Sequence, residues 1–182
     1  LRFTPDGARL VSSSGDRSCG QWDVASGQEL RQLVLKHPEW VSSLDLSPDG
    51  MLAVTTCDDG QVRQWRLADA ETLRTLELPN TIFNAVSYAP DGNSALVTSS
   101  TGRKVQRWDL TGEVAANSEA GETVIDFGTR GALVWSAMFA PDGRHLLTIG
   151  GNNADLWSLE TRRRTMQYSP HGAVASAALS PD

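Results

Sequence analysis

The side chains best suited to acid–base or metal chemistry near neutral pH are three histidines, His37, His145 and His171. None has a cysteine or carboxylate at metal-ligand spacing in the sequence. Cys19 and Cys57 are far apart and make neither a zinc pattern nor a disulfide framework. They read as two half-buried thiols in a reducing compartment. A Gly-rich phosphate loop and a Gly-x-Ser-x-Gly nucleophile elbow are both absent from the sequence. Aspartates are plentiful, but most are read as hairpin-turn residues, where backbone reasons account for them. The expectation is therefore a non-enzyme with no catalytic residues, no metal and no cofactor. The one charge run, Arg162-Arg163-Arg164, reads as a solvated turn, with a phosphate or acidic-partner contact as the alternative.

What must position such groups is set by a repeat. Pro-Asp-Gly stands at Pro5, Pro48, Pro90 and Pro141, and Pro181-Asp182 begins it again. The steps between the prolines are 43, 42, 51 and 40 residues. Trp22, Trp65, Trp108 and Trp157 keep nearly the same beat. Self-similarity at this period signals stacked supersecondary units. Residues 36–78 make the clearest copy. Trp40 to Ser47 reads as a strand, and Pro48-Asp49-Gly50 as a tight turn in which proline presets φ and glycine takes positive φ. Leu52 to Thr56, Val62 to Leu67 and Thr72 to Leu78 read as further strands, with Asp58-Asp59-Gly60 as a second turn. Trp65 and Leu67 share one face, as do Trp22 with Val24, Trp108 with Leu110 and Trp157 with Leu159. Four short antiparallel strands cannot bury both faces alone, so successive sheets must cover one another. With no sustained helical period, the all-β stack is a propeller.

Composition agrees with a globular domain: 40% hydrophobic, 21% charged, and no run long enough to span a membrane. A net charge of −6 argues against nucleic acid and anionic membrane as general partners. A cytoplasmic location is expected.

The second copy, His37, Trp40-Val41, Leu46-Ser47-Pro48-Asp49-Gly50 and Asp58-Asp59-Gly60-Gln61-Val62-Arg63-Gln64-Trp65, resembles the WD-repeat β-propeller family. The Trp-Asp pair that ends the family's motif stands at Trp22-Asp23 and Trp108-Asp109 and has drifted to Trp65-Arg66 and Trp157-Ser158. The resemblance covers essentially the whole chain. It implies an incomplete, open propeller of four blades plus the start of a fifth: residues 1–35, 39–78, 81–128 and 132–169, then an inner strand at 173–180. It also implies a buried hydrogen-bonded chain of His37, Thr55, Asp59 and Trp65. The other copies keep only parts of it: Ser12, Asp16 and Trp22; Thr98 and Trp108 with Gly102; Trp157 with Leu147 and Gly151.

In the family, partners dock at the narrow end of the propeller. Carried over by position, this implies Trp40, Ser42 and Asp58, then Ile82, Asn84 and Thr101, then Leu133, Trp135 and Gly150. The function implied is a non-enzymatic protein–protein interaction scaffold that binds proteins or peptides. The alternatives are a sensor or regulatory propeller of a larger bacterial protein kinase or nucleotide-hydrolysing switch, and an enzymatic propeller whose site lies in further blades. The long step of 51 places an insertion near Glu113 to Arg130. Family propellers hold about seven blades, or around 300 residues. The chain, from Leu1 to Pro181-Asp182, is thus expected to be a fragment that meets the remaining blades of a parent chain.

Overall fold

The computed structural model describes residues 1–33, 37–78, 81–99, 104–111, 122–126 and 133–180. These form sixteen strands in four antiparallel sheets of four, with no helix among the described residues. The first sheet holds Arg2–Phe3 (β1), Arg9–Ser13 (β2), Cys19–Asp23 (β3) and Glu29–Leu33 (β4). The second holds Val41–Leu46 (β5), Leu52–Cys57 (β6), Gln61–Arg66 (β7) and Glu71–Glu77 (β8). Phe83–Tyr88 (β9), Ser94–Ser99 (β10), Lys104–Asp109 (β11) and Glu122–Asp126 (β12) make the third. Val134–Phe139 (β13), His145–Gly150 (β14), Asn153–Ser158 (β15) and Arg163–Tyr168 (β16) make the fourth. Each sheet is a meander in chain order. The first strands β1, β5, β9 and β13 lie against one another in succession, so they form the inner rim of an open propeller.

Packing follows the faces read from the sequence. Trp65 and Leu67 of blade 2 cluster with Val11 and Cys19 of blade 1. Trp108 and Leu110 of blade 3 cluster with Val54, Val62 and Leu76 of blade 2. Trp157 and Leu159 of blade 4 pack on Leu96 and Val105 of blade 3. The Trp face of each of blades 2 to 4 thus seals onto the blade before it. Central strands are covered on both sides, and β6 and β10 are buried almost throughout.

An inner strand pairs on one side only, so its other edge carries orphan N–H groups. Blade 2 supplies the acceptors for blade 3. Val86 N–H donates to Ser43 Oγ (3.2 Å) and Tyr88 N–H to Asp45 Oδ2 (2.8 Å). The other carboxylate oxygen of Asp45 accepts from Arg2 Nε at 2.6 Å. One carboxylate therefore ties three blades together.

The Pro-Asp-Gly turns share one construction. Gly7, Gly50, Gly92 and Gly143 donate N–H to the carbonyl three residues back (2.8–2.9 Å) and take φ of 64–73°. The aspartates accept from the N–H two residues on, at Ala8, Met51, Asn93 and Arg144. The turns also nest. A Cβ on Gly50 would lie 2.7 Å from Pro5 Cδ, and one on Gly92 3.5 Å from Pro48 Cδ.

Residues 173–180, expected as the inner strand of a fifth blade, belong to no sheet. A strand is made by hydrogen bonds to a neighbour, and no described strand pairs with this segment. It rests against blade 4, where Leu179 and Ser180 share a cleft of about 230 Å³ with Ala140, Pro141 and Leu156. No described helix is long and apolar enough to cross a membrane.

The nesting separates two glycines with the same φ. Gly50→Ala meets both the left-handed backbone and the Pro5 ring, whereas Gly143 has nothing within 4 Å. We expect Gly143→Ala to cost about 1 kcal/mol and Gly50→Ala clearly more in chemical denaturation. Equal costs would show that the turns do not interlock.

Candidate functional site

Two constellations come together, one buried and one at the surface. The buried one links four of the residues implied by the sequence, with a fifth added. Trp65 Nε1–H donates to Thr55 Oγ1 at 2.8 Å, and Thr55 Oγ1 lies 3.2 Å from His37 Nε2. The other ring nitrogen, Nδ1, faces Arg63 Nη1 at 2.9 Å. Arg63 Nη2 then donates to Asp59 Oδ2 at 2.5 Å. Asp59 reaches the histidine only through Arg63. Because arginine can only donate, His37 Nδ1 must accept, and its proton sits on Nε2, pointed at Thr55. His37 also meets the Trp65 ring edge-on, with centroids 5.3 Å apart.

Electrostatics fit this arrangement. Burial first, then the Arg63 charge, pushes the His37 ring down to about 4 against the opposing pull of Asp59. Burial alone would raise the Asp59 carboxyl, but hydrogen bonds from Arg63 and Cys57 outweigh it and hold the group below its ordinary value. His37 is neutral and the Arg63–Asp59 pair charged, each side chain of that pair being nine-tenths buried or nearly so.

The other blades depart from the expected pattern in informative ways. In blade 1 Trp22 Nε1 donates to Ser12 Oγ (3.0 Å), but Asp16 serves its own turn, accepting from Ser18. In blade 4 Trp157 Nε1 donates to Thr148 Oγ1 at 2.9 Å, so Thr148 holds the place assigned to Leu147. The reason is a shortened hairpin. Two residues separate β14 from β15, against three between β6 and β7, so counting ten back from the tryptophan overshoots by one. Gly102 lies outside the described residues. Cys19 and Cys57 are fully buried, not half-buried, and burial pushes the Cys19 thiol up to about 12. His145 does have a carboxylate partner. Its Nδ1 lies 2.6 Å from Asp142 Oδ2, a pairing made by the turn.

The surface constellation lies where the inner strands begin. Residues Val41, Phe83 and Val134 point inward and are buried. Before each stands an exposed apolar side chain: Trp40 at 61%, Ile82 at 52% and Leu133 at 39%. After each comes a β-bulge. Val41 pairs with Cys57 and Ser43 with Thr56, which leaves Ser42 without a place in the ladder. The same slip leaves out Asn84 in blade 3 and Trp135 in blade 4. A bulge re-aims one side chain without disturbing the rest of the strand. Trp135, 49% exposed, is the largest of the three. Ser42 Oγ instead bonds Thr56 Oγ1 at 2.9 Å. Asn84 Nδ2 donates to the Val134 carbonyl at 2.9 Å and straps blade 3 to blade 4. Asp58 is exposed, and its N–H donates to the Trp40 carbonyl. Gly150 offers no side chain to a partner. A Cβ there would collide with the Leu133 carbonyl oxygen, so this glycine lets β13 approach. Thr101 and most of the expected insertion at 113–130 lie outside the described residues.

The profile of the family described as WD domain, G-beta repeat matches residues 1–23 and 28–66. Over this stretch the chain carries WD repeats. Its third and fourth sheets repeat the meander, the Pro-Asp-Gly turn and the Trp face of the two matched repeats. A search of curated proteins finds no match to the chain. WD repeats generally mediate protein–protein interaction and are typically non-catalytic.

Two outcomes test the buried chain. Asp59→Ala strands the Arg63 cation and should destabilise by about 1–3 kcal/mol; Asp59→Ala with Arg63→Met should recover part of the loss. An unchanged Tm in the single variant would remove Asp59 from the network. The second outcome concerns pH. The folded state holds His37 near 4 against an ordinary 6.5, so the unfolded chain binds the proton first. This contribution to stability is full above about pH 6.5 and is lost as pH falls through about 4. The Tm of His37→Gln should change less than that of the natural chain across this window.

Proposed function

We propose that this protein is a non-enzymatic interaction scaffold whose partner docks on the end where the inner strands begin. The observation that carries this reading is the repeated bulge. Three successive blades use the same backbone device to bring residues 42, 84 and 135 out beside exposed Trp40, Ile82 and Leu133. An aromatic and aliphatic row at one end of a rigid sheet stack suits a partner protein or peptide that buries apolar side chains, with the two tryptophans as anchors. Asp58 supplies a carboxylate at the edge of the row.

Within this surface the roles divide. Trp135 and Ile82 offer contact area. Trp40 also lies over the β2–β3 turn of blade 1, since a Cβ on Gly15 would sit 3.9 Å from its ring. Asn84 and Ser42 hold the strand starts in place. The regulatory alternative, a sensor propeller within a larger signalling protein, would use the same surface, since it changes what the blades are attached to and leaves their chemistry alone.

Trp135→Ala should leave folding stability within about 0.5 kcal/mol and weaken partner binding at least about tenfold. The measurement is affinity capture with the immobilised chain, followed by identification of the proteins lost with Trp135→Ala and retained with Met166→Ala, a still more exposed residue elsewhere. Capture that survives both Trp135→Ala and Trp40→Ala would sink the proposal. Collapse of the fold in Trp135→Ala would move this residue into the core.

A further inference from the structure

We infer that Asn84 of blade 3 is a positioning residue for Trp135 of blade 4, and that it joins the two blades into one preformed docking unit for an apolar segment of a partner. This role rests on the docking surface proposed above and goes further, to the group that aims its largest side chain. Trp135 is the residue that the β13 bulge leaves out, since Val134 pairs with Gly150 and Ser136 with Ile149. A residue without a place in the ladder lacks the pairing that holds its neighbours in line. The indole is 49% exposed, so its direction depends heavily on that backbone.

Asn84 supplies a constraint from the neighbouring blade. Its Nδ2 donates to the Val134 carbonyl at 2.9 Å. A carbonyl oxygen can only accept, so the amide must present its NH2 group there. That carbonyl and the Trp135 N–H belong to one planar peptide unit. Fixing the carbonyl therefore fixes the plane from which the Trp135 side chain departs. The peptide before it is fixed by contact. There the Leu133 carbonyl lies so close to Gly150 that a Cβ would collide with it. The backbone is thus held on both sides of Val134, immediately before it bulges.

Blade 2 shows that the bulge alone does not dictate this bond. Ser42 stands at the same place, after buried Val41, and turns back to its own blade. Its Oγ lies 2.9 Å from Thr56 Oγ1 and 3.2 Å from the Thr56 carbonyl. An asparagine amide reaches one bond further from the backbone than a serine hydroxyl does. The near end of the Asn84 strap is also firm, because Phe83 beside it is 1% exposed and packs in the core between blades 2 and 3. A side chain aimed before the partner arrives loses less freedom on binding, and affinity gains by that difference.

The test is fluorine NMR on the whole 182-residue chain, with fluorotryptophan in place of tryptophan. Trp135→Phe identifies the Trp135 line. Asn84→Asp keeps the shape of the side chain and removes the donor. It should shift or split the Trp135 line while the other tryptophan lines stay in place. An unmoved Trp135 line, or an equal disturbance of every line, overturns the inference. If Asn84→Asp does not fold, Asn84→Ala removes the donor without adding charge and is judged by the same lines. Titration of the captured partner gives a second measure. Asn84→Asp should weaken binding about three- to tenfold and cost nothing more once Trp135→Ala is present. Additive losses in the double variant would overturn the coupling. The two proposals fail separately. A Trp135 line that responds to Asn84, with capture indifferent to Trp135, keeps the positioning and removes the docking surface. Capture that needs Trp135, with a line indifferent to Asn84, does the reverse.

Discussion

Everything in this molecule depends on one sheet covering the next. A four-stranded blade with an apolar face on both sides has no stable existence alone, and the tryptophan on each third strand shows what covering does. Trp65 is 6% exposed beneath blade 1, whereas Trp22, at the same place in its own strand, is 36% exposed with no described sheet in front of it. Residue type and local hydrogen bond are alike, since both indoles donate to a hydroxyl on the second strand. The difference is made by the neighbouring blade. The remaining contacts between blades serve this stacking. Asp45 and Ser43 satisfy the inner edge of the following sheet, and the Pro-Asp-Gly turns nest proline against glycine.

Much of this was legible in the sequence because it is periodic. Turn chemistry, strand alternation and the Trp-plus-two pairing each recur four times, and each has a local cause that one repeat suffices to reveal. What escaped was non-periodic or non-local. Arg63 reads as an ordinary strand residue between Val62 and Gln64; its place between His37 and Asp59 follows from three elements converging in space. Thr148 was hidden by a hairpin one residue shorter than its counterparts. The bulges at Ser42, Asn84 and Trp135 cannot be seen by counting alternate residues, because one extra residue simply shifts the count. The candidate surface residues could be named from the family resemblance, but the reason they project could not.

The buried chain in blade 2 illustrates how a repeat tolerates change. With a carboxylate against Nδ1, a histidine would donate there. With Arg63 in that place the proton moves to Nε2, and the hydroxyl of Thr55 receives two donors, one from the imidazole and one from the indole. The network stays satisfied with its direction reversed. Satisfaction of buried polar groups constrains it more tightly than the identity of any one member does.

The two ends of the stack answer the same constraint in different ways. At the Pro-Asp-Gly end one aspartate oxygen and the glycine φ are committed to turn geometry in each blade, and the rings of Pro5 and Pro48 to nesting on the next turn. Chemistry there can vary only at side chains outside that construction. At the strand-start end the bulge takes one residue per blade out of the ladder. That residue can be Ser, Asn or Trp with the pairing before and after it intact. A fold whose backbone must repeat for its sheets to stack thus keeps specific places where side chains need not repeat. Such places are where one blade can differ from the next in what it binds.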